Sequence, residues 1–244
     1  GAPVLLPKFD RIRGGSGVMG VAVYSIPGYE GDDILGTLSK KYEDELPVDI
    51  VTGDRDALQL SSDKTTVLLT QKGITNMAAM TPEAIYEKYH ITPSQVIDMK
   101  ALMGDTADNI PGVPGVGEKT ALGLLTEYKD LDNLYAHVDE IKGAKGKKLV
   151  ANKDLAYLSY KLATIRRDVP IDAPLSDMKQ PVHIDEMREL FGRLGINLLP
   201  SFAALPRFQE LSQVKKEENE KTLPPVEPRS EERRVGKECR SRWS

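Results

Sequence analysis

Between Val18 and Leu69 the chain alternates short β-rich runs with a helical stripe, and that alternation restricts the fold more than anything else in the sequence. Val21, Val23 and Ile26 form the first run, closed by the turn signal Pro27-Gly28. Ile34, Leu35 and Leu38 then recur at helical spacing, with Tyr42 extending the stripe. Asp49-Ile50-Val51 reads as a second, buried strand ending at Thr52-Gly53, and Val67-Leu68-Leu69 as a third. Strand, helix and strand at this spacing predict a βαβ unit with a parallel sheet, so the regular part is α/β up to about Thr75. In such sheets a site lies beyond the carboxyl ends of the strands.

After Thr75 the pattern turns helical. Thr81-Pro82-Glu83 combines a capping hydroxyl, a proline at the first helical position and an acid in the first turn. Thr92-Pro93-Ser94 repeats the device. Further stripes run through Ala121, Leu124, Leu125 and Tyr128, from Leu149 to Leu162, and from Met187 to Leu194. No fixed-period repeat is present, which sets repeat folds aside. The expected organisation is an α/β core over residues 18–100, a helical subdomain over 101–200 and a linker over 201–228. Residues 1–17, with the flexible Gly14-Gly15-Ser16-Gly17, are unassigned or foreign. Residues 229–244 resemble no domain and read as an artefact, the translation of a sequencing-library adapter.

Charge bears on the choice of partner. The chain carries −4 overall. Arg229 to Ser244 contribute six basic and three acidic residues, which leaves 27 basic against 34 acidic, or −7, in the rest. A nucleic-acid binder needs cations to neutralise phosphates. An excess of acids is compatible with that role only if they are gathered to bind divalent cations, which reverse the local sign. No apolar run is long enough to cross a bilayer, and the first residues do not read as a signal peptide. Cys239 is the only cysteine, so no disulfide framework exists, in keeping with a reducing cytoplasm.

Three acidic groupings stand out. Glu30, Asp32 and Asp33 follow the first strand and turn, Asp54 and Asp56 follow the second strand, and Asp105 and Asp108 lie in Gly104-Asp-Thr-Ala-Asp108-Asn. Each alone has a structural explanation, as helix-capping acids or as Asp in a turn. If the three converge on one sheet edge, their repulsion requires cations or shifted pKa values. Hard oxygen ligands without neighbouring His or Cys suit Mg²⁺ or Mn²⁺, and a pair of such ions supports in-line phosphodiester hydrolysis. Independently, Pro111-Gly-Val-Pro-Gly-Val-Gly117-Glu-Lys-Thr120 precedes a helical stripe. Glu118 interrupts the Gly-Lys pair that a nucleotide-binding P-loop requires. A Gly-rich hairpin that grips a nucleic-acid backbone without reading bases fits better than a plain helix–helix turn.

At these residues the chain resembles a known family. Gly28-Tyr-Glu-Gly-Asp-Asp33, Thr52-Gly-Asp-Arg-Asp56-Ala-Leu-Gln-Leu60 and Gly104-Asp-Thr-Ala-Asp108-Asn are similar, in order and spacing, to the metal motifs of the 5′→3′ exonuclease (flap endonuclease, PIN-like) domain of bacterial DNA polymerase I. Gly112 to Thr120 resembles that family's helix–three-turn–helix, which binds duplex DNA backbone and a monovalent cation, K⁺. The resemblance runs from about Val18 to Leu211, and implies a polymerase portion beyond residue 228. It implies that Glu30, Asp32, Asp33, Asp54, Asp56, Asp105 and Asp108 are catalytic ligands of two or more Mg²⁺ or Mn²⁺ ions. Of these, Glu30, Asp32, Asp33 and Asp54 would serve mostly the tighter site, and Asp105 and Asp108 the second. It further implies that Gly112, Val113, Gly115, Val116, Gly117, Lys119 and Thr120 form the DNA contact. The implied substrates are DNA with 5′ flaps, nicks or RNA primers, in replication and repair.

Two departures accompany it. Gly31 stands where the family usually has alanine. The family's opening strand with its aspartate ligand, its second strand and its basic helical arch have no counterpart before Val18. Phe9-Asp10 is similar to the second strand's aspartate, yet lies too close to Gly28 for an arch to fit between them. The α/β core is thus expected to be incomplete at its front, with strand edges exposed. An alternative to the nuclease is therefore a disabled fragment that only holds duplex DNA backbone. A third reading, cleavage of RNA as in small α/β ribonucleases, is disfavoured by the hairpin.

Overall fold

The computed structural model describes residues 15–71, 76–178 and 181–195. The expectations placed on residues 1–14, 201–228 and 229–244 lie outside the described residues. The chain divides into two compact units, one spanning Tyr24–Ser176 and the other drawn from the residues on either side of it.

In the larger unit, α1 (Gly31–Tyr42) precedes a three-stranded sheet of β1 (Val48–Thr52), β2 (Thr65–Thr70) and β3 (Met77–Met80) in the order β1-β2-β3. β1 and β2 run parallel, with Ile50 opposite Val67, and residues 53–64 between them contain a 3-10 helix, Arg55–Leu60. β3 runs antiparallel to β2, with Met80 opposite Val67. The sheet is therefore mixed rather than wholly parallel. The β-rich run at residues 21–26 forms no strand. Such a run becomes a strand only when a neighbour completes its hydrogen-bond ladder. β1 is left as an edge strand, with Val51 57% exposed.

The helical part follows as α2 (Pro82–Tyr89), α3 (Gln95–Met103), α4 (Glu118–Tyr128), α5 (Leu131–Ala136), α6 (Gly143–Ala151) and α7 (Lys153–Ala163). Thr81 caps α2 by accepting the Ala84 N–H at 3.3 Å, and Pro82 takes the first position, where no N–H is needed. The stripe from Leu149 to Leu162 is not one helix, because the chain breaks at Asn152 between α6 and α7. One hydrophobic core joins sheet and helices, running from Ile50, Val67 and Leu69 through Leu102 and Val113 to Leu125, Leu134, Leu149 and Ala156. Each buried Leu or Val in it stabilises the fold by about 1.5–3 kcal/mol.

The segment after α7 straps α1 in place. Gln59 receives the Ile165 N–H and donates to the Ala163 carbonyl, both at 2.9 Å. Val169 N–H donates to Thr37 Oγ1 at 3.1 Å, Arg167 Nε to the Gly36 carbonyl at 3.1 Å, and the Tyr42 hydroxyl to the Ala173 carbonyl. At Gly36 a Cβ would lie 2.9 Å from Ile165 Cγ2 and 3.0 Å from the Arg166 oxygen, so the strap requires glycine there. The strap fixes the N-terminus of α1, which carries the first acidic grouping.

In the smaller unit, α8 (Ile184–Leu194) buries Ile184, Met187 and Phe191 against Val18 and Met19. Gly195 ends it in the left-handed region.

Candidate active site

The three acidic groupings occupy the end of α1, the turn after β1 and the loop after α3. Glu30 takes the N-cap position of α1, and its N–H donates to Asp33 Oδ2 at 3.2 Å. Asp33 Oδ1 accepts the Arg166 N–H at 2.9 Å, so this carboxylate also ties α1 to the strap. Asp54 caps the 3-10 helix by accepting the Asp56 N–H at 2.8 Å, while its own N–H donates to Thr52 Oγ1 at 3.0 Å. Asp105 opens a loop closed by reciprocal backbone bonds with Ile110 of 2.9 and 2.8 Å, and its Oδ1 accepts the Ala107 N–H at 2.8 Å. The local capping roles that each grouping suggests alone are thus real.

The groupings also feel one another. Burial holds the Asp32 carboxyl above the usual carboxylate range, and the charges of Asp54, Asp56, Glu30 and Asp33 add to it. Asp56 is raised as well, first by burial and then, against the pull of Lys100, by Asp54 and Asp108. Residues from α1, from the end of β1 and from the loop after α3 therefore share one electrostatic environment, as expected if strand ends aim a site outward.

Lys100 of α3 lies among them. Its ammonium pairs with Asp56, with Asp105 at 2.8 Å and with Asp108 at 3.6 Å. The residue is only 7% exposed. Burial works to lower its pKa, but the pairs with Asp105 and Asp56 outweigh this and raise it. Asp105 is correspondingly held below the usual carboxylate range by the Lys100 ammonium. Among the described residues, no three acids close on a point in a geometry ready to hold an ion. A cleft of about 490 Å³ opens over this cluster, lined by Asp54, Asp56, Lys100, Asp105, Asp108 and Glu118.

Glu118 begins α4, so the cleft reaches the Gly-rich hairpin. Gly112, Val113 and Val116, expected to touch DNA, face inward. Gly112 N–H donates to the buried Ser159 Oγ at 2.9 Å, and a Cβ at Gly112 would lie 2.3 Å from the Gly104 nitrogen. Val113 and Val116 are 1% and 6% exposed. They hold the hairpin on the core, and the valines three apart, Val113 and Val116, were the signal for that. Gly115, Gly117 and Lys119 are exposed, and Thr120 is half-buried. The Glu118 and Lys119 N–H groups head the first turn of α4, where no intrahelical acceptor exists. The Lys148 ammonium lies over Gly115, close enough that a Cβ there would meet it at 2.6 Å. Lys100 and Lys148 were not singled out from sequence, and Glu118 only as the break in a P-loop pattern. A lysine inside the largely apolar run Val96–Met103 was the available sign for the first.

A mixed sheet thus carries an acid-lined cleft that reaches a Gly-rich hairpin. The family model for the 5′-3′ exonuclease N-terminal resolvase-like domain matches residues 2–90, and that for the 5′-3′ exonuclease C-terminal SAM fold matches residues 91–186. The chain belongs to the 5′-3′ exonuclease family, and is homologous to the corresponding domain of bacterial DNA polymerase I. Residues 2–17, unassigned above, fall inside the N-terminal match, and the two matches meet at His90 and Ile91.

It is 48% identical over 182 residues to DNA polymerase I of Bacillus subtilis (strain 168), covering 73% of this chain and 21% of that protein. It is 45% identical over 196 residues to DNA polymerase I of Bacillus caldotenax, covering 79% of this chain and 22% of that protein. A Bacillus subtilis 5′-3′ exonuclease is 40% identical over 190 residues, covering 78% of this chain and 64% of that protein. The chain thus spans about a fifth of the polymerase relatives and just under two thirds of the exonuclease.

The fold matches T5 5′-exonuclease with zinc bound, with a TM-score of 0.52 and 23% identity over 69% of this chain and 61% of that one. It also matches the catalytic core of Rad2 in complex with DNA, with a TM-score of 0.55 and 16% identity over 83% of this chain and 70% of that one. Among the described residues no helix is long and apolar enough to cross a membrane.

Proposed function

We propose that this chain is a 5′→3′ exonuclease and 5′-flap endonuclease acting on DNA, and on primer RNA, through divalent cations held at the acid cluster. The observation that supports this most is the meeting of Asp32, Asp54, Asp56 and Asp108, drawn from three separate segments, in one electrostatic environment. The donor set is all carboxylate, and two of its members are raised, by burial first and by their neighbours' charges in addition, a repulsion that Mg²⁺ or Mn²⁺ would relieve. Glu30, Asp32, Asp33 and Asp54 would mostly hold one ion, Asp105 and Asp108 would support a second, and Asp56, which feels both Asp54 and Asp108, would join the two. Such a pair supplies a nucleophile from water and neutralises the leaving oxygen.

The protein's own part is positional. Gly115, Gly117, Lys119 and Lys148 grip phosphates of the duplex, with K⁺ as a candidate at the hairpin, and the cleft leads from Glu118 to the acids. Asp33 holds Glu30 and the strap in register. The biological setting is replication and repair, including removal of RNA primers and of flaps ahead of a growing strand.

A labelled 5′-flap duplex incubated with Mg²⁺ or Mn²⁺ tests this. Cutting that EDTA and Asp54→Ala both abolish is the expected result. A second reading, a module that grips duplex backbone without cutting, is favoured by the Lys100 ammonium, which pairs with three of the acids. A folded chain that binds duplex but leaves the flap intact at saturating Mn²⁺ selects it.

A further inference from the structure

Lys100 has no place in a simple ligand set, and its surroundings are unusual for a lysine. It lies on α3 between core residues, flanked by the buried Val96, Ala101 and Leu102. Its ammonium bridges Asp56, in the 3-10 helix after β1, to Asp105 and Asp108 in the loop after α3. Among the described residues no other ion pair involves any of the seven acids.

Resting on the metal-site reading above, we propose that Lys100 is a resident counter-cation that assembles the acid cluster while no divalent ion is bound and yields its place when one arrives. Carboxylates that must face a common ion repel one another when the ion is gone, and would splay their loops apart. A buried ammonium among them offsets that repulsion in advance. Lysine suits the task because its charge is compact and rides on a flexible four-carbon stem, so it can leave without moving α3. Divalent binding is then an exchange of a single positive charge for a double one. The cluster is pre-formed, and the apparent affinity is reduced by the displacement, as for any ligand that must first expel a competing state. Lys100 is on this account a positioning residue.

The test is Mn²⁺ binding followed by electron paramagnetic resonance, for the wild type, Asp54→Ala and Lys100→Met. Removing the competing charge should tighten the Mn²⁺ site served by Asp56, Asp105 and Asp108 by at least about tenfold, since charges this close interact by more than that factor even in a partly polar medium. In the metal-free wild type the Lys100 ¹³Cε resonance should report a buried ion pair and shift when Mg²⁺ is added. Equal or weaker Mn²⁺ binding by Lys100→Met overturns the proposal. If Lys100→Met does not fold, the wild-type resonance decides, and its failure to move at saturating Mg²⁺ overturns the proposal. Absence of any Mn²⁺ binding by the wild type removes the metal-site reading itself. Binding by the wild type that Asp54→Ala weakens, with no gain in Lys100→Met, removes this inference alone.

Discussion

Asp98 offers a quantitative check on the packing of α3, the helix that also carries Lys100. The residue is 5% exposed, and its Oδ1 accepts the Leu131 N–H at 3.0 Å, where α5 begins. Burial pushes its carboxyl up to about 6, opposed by the Leu131 N–H and reinforced by Asp130 and Asp132. An acid whose folded pKa lies above its unfolded value binds its proton more tightly in the native state. Its stabilising contribution is full below the unfolded value of 3.8 and is lost as pH rises through about 6. At about 1.4 kcal/mol per pH unit, the loss by neutral pH is up to about 3 kcal/mol. Asp98→Asn removes the charge and keeps an oxygen for the Leu131 N–H. It should therefore stabilise the protein at pH 7.5 by up to about 3 kcal/mol, or roughly 6–12 °C in Tm for a unit of this size. The gain should shrink towards zero near pH 4, where the wild-type carboxyl is protonated in both states. Thermal melts of both proteins followed by circular dichroism across that range provide the measurement. A gain independent of pH, or a loss of stability at pH 7.5, refutes the reasoning.

Three further outcomes follow from the hairpin. Gly112→Ala forces a Cβ to within 2.3 Å of backbone at φ +61, whereas Gly115→Ala, at φ +80, meets only the end of the Lys148 side chain. Denaturant unfolding should show the first to be severely destabilising, and the second to cost about 1–2 kcal/mol for the left-handed backbone. Ser159→Ala leaves the buried Gly112 N–H without its acceptor and should cost about 1–3 kcal/mol in the same assay. Lys119→Ala should weaken duplex binding about equally across sequences and reduce the salt slope by about 1, as read by fluorescence anisotropy at several salt concentrations.

How much of this was legible in the sequence depended on whether the signal was local. The acids and the hairpin were readable because cap, turn and glycine chemistry is written within a few residues, as at Thr81-Pro82 and Pro111-Gly112. Helical stripes such as Ala121, Leu124, Leu125 and Tyr128 are also local, and all four are buried. What depends on partners was not readable. Residues 21–26 have strand-like composition but form no ladder, while Met77–Met80, poor in β-branched residues, pairs with β2 because a neighbour lies beside it. Gly112, Val113 and Val116 were expected to face DNA, yet their inward direction is set by Ser159 and the core, far away in sequence. Lys100 was missed for the same reason, since its partner Asp56 lies 44 residues before it.

The most direct test of the account is whether bound divalent ions lie beside all three acidic segments. Replacing Mg²⁺ with Fe²⁺ in the presence of ascorbate and peroxide generates hydroxyl radicals at the ion, which cut the nearby backbone, and mass spectrometry locates the cuts. The account predicts simultaneous cleavage around residues 30–33, 54–56 and 105–108, suppressed by excess Mg²⁺. Cleavage at only one of these segments, or cleavage that Mg²⁺ does not suppress, would contradict it.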